Sequence, residues 1–177
     1  MYVVSAILIA VGIWQLIVWM IEIQDKNRKY RAADKYARER AKPLLVAPGP
    51  WGVKPTRRWL SKPAHEGGDV CLDIDRRAVY GHPCAVIGSV TRIPFSDNTF
   101  GAAFVSHLLE HLPTTEDAIL ALDELNRVAE AVFIVYPYRQ SIATWITPEH
   151  HLSVWQKGDK MYLKQRGVSG RPEVYHC

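Results

Sequence analysis

Hydrophobic and polar positions along the chain follow two regimes. From Tyr2 to Ile21 nearly every residue is apolar, none is charged, and only Ser5, Gly12 and Gln15 interrupt the run. At a helical rise of about 1.5 Å per residue, a run of about 20 residues crosses a hydrocarbon core of about 30 Å. The pattern therefore predicts a transmembrane helix over residues 1–22. A secretory leader would open on a basic region and close on a small-residue cleavage site. This chain opens apolar and continues into Glu22-Ile23-Gln24-Asp25-Lys26. A buried core helix of a soluble protein would carry a polar face, and the run has none.

Beyond Pro43 the apolar runs become short and are bounded by turn residues: Leu44 to Ala47, Val70 to Ile74, Ala85 to Ile87, Ala102 to Val105 and Ala131 to Val135. These runs read as strands, and Ala102 to Val105 as one buried on both faces of a parallel sheet. A short helix is expected at Thr56 to Leu60. A longer one starts at Thr114-Thr115-Glu116-Asp117 and carries Ile119, Leu122, Leu125 and Val128 at helical spacing. Ile142 to Ile146 predicts another helix, and residues 160–177 a terminal hairpin around Gly167 to Gly170. About ten residues join the second strand to the third, too few for a crossover helix, so the sheet is expected to be trimmed.

Charge divides the chain in the same places. Residues 22–42 hold eight Lys or Arg against four acids, and removing them from the 22 basic and 18 acidic residues leaves 14 of each. The basic excess thus belongs to a juxtamembrane linker, residues 23–43, and the globular part, residues 44–177, is balanced. Nucleic acid is not expected as a partner. Basic residues beside a span favour the cytoplasmic side, which puts the amino terminus outside and the globular domain in the cytoplasm, with membrane lipids as partners of the helix and its basic flank. Cys71, Cys84 and Cys177 form no C-x-x-C pair and are odd in number, which fits a reducing compartment.

The chemistry concentrates between Ile87 and Leu112. Ile93-Pro94-Phe95-Ser96-Asp97-Asn98-Thr99-Phe100-Gly101 is a turn flanked by aromatics, the apolar strand follows, and then come His107-Leu108-Leu109-Glu110-His111-Leu112. Polar groups just past the carboxyl end of a buried parallel strand sit where open α/β sheets bind ligands. This stretch resembles the central signature of class I S-adenosylmethionine-dependent methyltransferases of the short, type 11-like kind: Leu-Pro-Phe-x-Asp-Asn-Ser-Phe-Asp, a strand, then x-x-Glu-His-Leu. Gly101 stands where that pattern has Asp. Glu124-Leu125-Asn126-Arg127-Val128 is similar to the family's Glu-x-x-Arg-Val, but the Pro-Gly-Gly turn that should follow is missing. The resemblance covers about residues 44 to 155.

The resemblance implies a trimmed Rossmann-like α/β methyltransferase sheet with flanking helices, and S-adenosylmethionine as cofactor. Its cofactor-binding residues would be Gly49 and Gly52 in the first loop, Asp73 accepting from the ribose hydroxyls, Ser89 in place of the family's acid near the adenine, and Glu110 and His111. His107 would be the catalytic proton acceptor, since histidine as a residue type titrates near neutrality. Tyr136, Tyr138 and Arg139, after the fifth strand, would wall the acceptor site, with Trp145 and Trp155 adding apolar surface. The acceptor is a small or lipid-like molecule, and a short tether to the bilayer favours one that is membrane-borne.

Two other readings stay open. The eroded glycine loop and the missing Pro-Gly-Gly suit a non-catalytic methyltransferase-fold subunit of a membrane-protein complex. His107-x-x-Glu110-His111 also fits the inverted zinc-hydrolase motif, with His150 or His151 as a further ligand. The methyltransferase reading itself needs no metal.

Overall fold

The computed structural model describes residues 2–49 and 67–176. The expected helix at Thr56 to Leu60 and the loop position Gly52 lie outside the described residues. Helix α1, Tyr2–Glu39, runs without a break for 38 residues. Five parallel strands follow: β1 Leu44–Ala47, β2 Val70–Asp73, β3 Ala85–Ile87, β4 Ala102–Ser106 and β5 Val132–Val135. Their order is β3-β2-β1-β4-β5. This is a Rossmann-like sheet trimmed to five strands, and it reverses direction of growth between β1 and β4. Turns over residues 74–81, with no helix, carry the chain from β2 to β3.

Alternation along the central strands sorts side chains between two layers. Leu44, Val46, Ala102 and Phe104 pack with Ala33 and Ala37 of α1, and Tyr30 meets the Phe104 ring edge-on at 5.3 Å. Leu45, Ala103 and Val105 face the opposite layer. That layer holds α2, Thr115–Val128, and a separate antiparallel sheet of β6 Leu152–Lys157, β7 Lys160–Gln165 and β8 Glu173–His176. Thr114 caps α2 by accepting from Asp117 N–H at 3.1 Å, as its hydroxyl and the acidic first turn predict. The expected terminal hairpin is the β7–β8 pair.

One expectation changes. The basic segment set apart as a linker is the second half of α1, and it is a layer of the fold that covers one face of the sheet. Arg28, Arg31, Lys35 and Arg38 are exposed, Lys29 reaches the Ile134 carbonyl of β5, and the alanines face β1 and β4; small residues leave no mark in a hydrophobicity pattern. The expected third strand, β3, forms at the edge of the sheet, with Ile87 57% exposed.

Candidate functional site

The turn that precedes β4 is held by α2. Arg127 donates to both carboxylate oxygens of Glu124, to Asp97 at 2.8 Å, and to the carbonyls of Ile93 and Phe95. Glu124 in turn accepts from Ile93 N–H at 2.7 Å. The guanidinium beside Glu124 is the main cause that holds its carboxyl below the ordinary carboxylate range. Glu-x-x-Arg on the helix is thus a brace for the Ile93–Asp97 loop. Phe95 and Phe100 meet edge to face at 4.9 Å inside it. Gly101 has its own reason: a Cβ there would lie 2.8 Å from Ala37 Cα, so the close approach of α1 excludes the aspartate of the family pattern.

β4 delivers Ser106 and His107 to the carboxyl edge of the sheet. His107 adopts φ 54°, a left-handed conformation uncommon for a residue with a Cβ, while its N–H still donates to Val135 O at 2.9 Å. Its Nδ1 lies 3.2 Å from Glu110 Oε1. An imidazole N–H donating to a carboxylate in this way fixes the ring and leaves Nε2 with a free lone pair. Glu110 is 1% exposed on the short 3₁₀ turn Leu109–His111. Glu110 Oε2 and Ser106 Oγ are buried without a hydrogen-bond partner among the described residues.

The inverted zinc motif fails as geometry. It needs both histidines on one helical face, but His107 lies just past the end of β4 and His111 ends a three-residue turn. The structure instead brings His111 to His150, with ring centroids 4.8 Å apart, and Glu110, His111 and His150 offer ligand atoms all within 4.8 Å of one another. Burial is the main cause that pushes His150 below the ordinary histidine value.

At the β1–β2 edge, Asp73 Oδ2 accepts from Gly49 N–H at 2.9 Å and Oδ1 from Asp75 N–H at 2.8 Å. Each oxygen keeps a second lone pair, enough for a diol, although the side chain is only 8% exposed. Gly49 is required by a different neighbour from the one expected: its Cβ would fall 2.7 Å from Ala78 O. Ser89 Oγ is engaged locally with Thr91, at 2.8 Å from its hydroxyl. Burial, with a smaller push from Asp73, raises the Cys71 thiol to about 12, so Cys71 is no nucleophile. The spare lone pairs of Asp73 and the orphaned Ser106 Oγ, at the ends of β2 and β4 on either side of β1, fit a polar nucleotide-like ligand such as S-adenosylmethionine.

The acceptor-wall residues are placed along the loop after β5. Tyr136 O–H accepts from Gln156 N–H at 3.1 Å. Tyr138 N–H donates to Glu22 Oε1 at 2.7 Å, and burial is the main cause that raises its phenol above the usual value. The Arg139 guanidinium stacks 5.1 Å from the Trp155 ring centroid. Sequence reasoning missed the residues of α1 that reach this loop. Gln15 donates to Gln140 O at 3.1 Å and accepts from Ile142 N–H at 2.9 Å, and Lys29 donates to Ile134 O at 2.8 Å. It also missed a cleft of about 360 Å³ lined by Trp145, Ile146, His150, His151 and Arg166 among others. An interruption of the apolar run at Gln15 was the one available signal.

Residues 68–131 match the family model described as a methyltransferase domain. That segment contains β2, the braced turn, β4, the His107–Glu110 pair and α2. No curated protein and no solved structure matches the chain.

Proposed function

We propose that this chain is a membrane-anchored, S-adenosylmethionine-dependent methyltransferase whose acceptor is borne by the bilayer. The observation that carries the reading is the His107–Glu110 pair at the carboxyl end of the central strand, inside the segment that matches a methyltransferase domain. The cofactor, when bound, supplies a methyl group on a sulfonium, which makes the leaving group good and leaves the protein to align, desolvate and deprotonate. Asp73 would hold the ribose hydroxyls. His107 Nε2 would take the proton of an acceptor hydroxyl or ammonium, while Glu110 holds the ring through Nδ1.

The membrane side of the proposal rests on α1 and on helix α3, Ile142–Ile146. A removable leader is a poor description of α1, because Gln15 and Glu22 are bonded to the loop after β5 and the same helix goes on to cover the sheet. Ile142, Trp145 and Ile146 are exposed at 43%, 51% and 72% next to the exposed apolar half of α1. Backbone groups that enter lipid must find partners within the protein, and Gln15 supplies both an acceptor and a donor to the loop that would dip there. The cleft beside α3 would then open toward lipid, with the globular part on the basic, cytoplasmic side.

The test is methyl transfer from labelled S-adenosylmethionine by the full chain in native membranes. Label should enter the lipid fraction and vanish with His107→Ala, and Asp73→Ala should weaken cofactor binding by about 1.5 to 3 kcal/mol, the loss of hydrogen bonds to a charged group. Label confined to soluble molecules would overturn the acceptor class, and label in membrane proteins alone would move it from lipid to protein. Calorimetry that finds no cofactor binding to folded protein would favour the non-catalytic subunit.

A further inference from the structure

We infer that Glu110, His111 and His150 form a binding site for one divalent first-row transition-metal ion, with Zn²⁺ as the natural probe. Nothing in the methyltransferase reading calls for it, and the site stands whether or not the crevice takes the cofactor.

Three features of the cluster are those of ligands awaiting a cation. First, the Nδ1 atoms of both histidines are already placed on backbone carbonyls, His111 on Glu149 O at 3.1 Å and His150 on Thr144 O at 3.2 Å. An Nδ1–H that donates to a carbonyl fixes the tautomer and leaves Nε2 as a lone-pair donor, the arrangement by which metal-ligating histidines are oriented. Second, Glu110 Oε2 is buried and unpartnered while Oε1 is aligned by His107 at 3.2 Å. A carboxylate 1% exposed with one oxygen unsatisfied is costly unless a cation or donor meets it. Third, one ligand atom from each of the three residues lies within 4.8 Å of the other two, which gathers two imidazoles and a carboxylate around one point.

The two segments are locked together by their backbones. His151 N–H donates to Glu110 O at 2.7 Å, and Arg166 N–H donates to His151 O at 2.9 Å. The Arg166 guanidinium then donates to the carbonyls of Trp145 at 2.6 Å, Thr147 at 3.1 Å and His150 at 2.9 Å. Arg166 is a positioning residue for the loop that carries His150.

Two imidazoles and one carboxylate suit Zn²⁺ or its neighbours rather than Mg²⁺ or Ca²⁺, which take oxygen ligands. Three protein ligands leave a tetrahedral ion one open position. His150 also lines the 360 Å³ cleft, so that position is within reach of water or of an oxygen atom of a molecule held there.

The experiment is calorimetric titration of Zn²⁺ into the untagged full chain in detergent micelles, with Mg²⁺ as contrast. One Zn²⁺ per chain is expected, with little response to Mg²⁺. His111→Ala and His150→Ala should each weaken Zn²⁺ by at least about tenfold, since loss even of a ligand's outer partner costs about 10–100-fold. Glu110→Gln should do the same, and His151→Ala, outside the cluster, should not. His111 is exposed and His150 only half-buried, so their variants are expected to fold, which circular dichroism checks. Co²⁺ in place of Zn²⁺ should give the visible absorption of a four-coordinate site, lost in the same variants. The inference is overturned by absence of one-to-one Zn²⁺ binding, or by binding that survives in folded His111→Ala and His150→Ala chains.

Discussion

In the first half of α1, Ile7, Leu8, Trp14 and Trp19 are all more than half exposed, while in the second half Ala33 and Ala37 are completely or almost completely buried. One continuous helix thus exposes its large apolar side chains and buries its small ones. The difference shows that apolarity and burial are separate quantities. The second half needs close approach to β1 and β4, which only small residues allow, and Arg28, Arg31, Lys35 and Arg38 occupy the solvent side. Among the described residues the first half packs only against the loop that Gln15 and Glu22 hold, and the proposed anchor would match its exposed surface with lipid. One helix therefore serves as a sheet layer and as a proposed anchor.

The largest expected effect breaks the packed half. Phe104 lies beneath α1 against Tyr30, and Phe104→Ala should destabilise the fold by about 3–5 kcal/mol. Trp14→Ala, in the exposed half, should stay within about 0.5 kcal/mol. Denaturant unfolding of the full chain in micelles measures both, and equal losses would erase the distinction between the halves. A smaller effect is expected at Gly101, where a Cβ would lie 2.8 Å from Ala37 Cα and 3.1 Å from Lys42 Cβ. Backbone contact cannot swing aside, so Gly101→Ala should cost about 1–3 kcal/mol, the range for overpacking. Ala37→Gly combined with Gly101→Ala should recover little, since the clash is with main chain.

Much of the fold was legible in the chain. Pro94, Asp97 and Asn98 announce a turn, Ala102 to Val105 a buried strand, and Thr114 to Asp117 a capped helix, because each rests on local chemistry. The layer made by α1 was hidden because alanine carries almost no hydrophobic signal and the surrounding charges suggest a solvated linker. The meeting of Glu110 with His150 was hidden for another reason. It depends on backbone bonds from His151 to Glu110 and from Arg166 to His151, between segments far apart in sequence, which no spacing rule reports. Candidate residues on β4 were found by motif, and their partners required coordinates.

A third prediction tests where the two halves meet the loop after β5. Gln15→Leu makes the apolar run more apolar and removes the two bonds to Gln140 and Ile142. At about 0.6 kcal/mol per hydrogen bond in a membrane, the loss is about 1 kcal/mol in total. Hydrogen exchange over residues 138–146 should accelerate about fivefold in nanodiscs, with residues 102–106 of β4 unchanged. Unchanged exchange at 138–146 would mean that Gln15 does not hold the loop.

The smallest effect concerns the carboxyl end of α1, where charge replaces apolar contact. Glu130 accepts from Lys42 at 2.6 Å and pairs with Arg40, so the residues just past α1 are tied to the segment that leads into β5. The hydrogen bond from Lys42, followed by that from Arg40, holds the Glu130 carboxyl below the ordinary carboxylate range. A carboxyl whose folded value lies below its unfolded value binds fewer protons when folded. Its contribution is therefore fully present above the unfolded value of about 4.3 and is lost as pH falls through the folded value. Glu130→Gln cannot titrate and lacks the charge at every pH. The melting temperature of the unaltered chain should exceed that of Glu130→Gln modestly at neutral pH, and the gap should close as pH falls below about 4. Both partners are exposed to solvent, so added salt should shrink the neutral-pH gap as well. A gap independent of both pH and salt would assign the effect of Glu130→Gln to packing and remove charge from the account of how α1 is fastened.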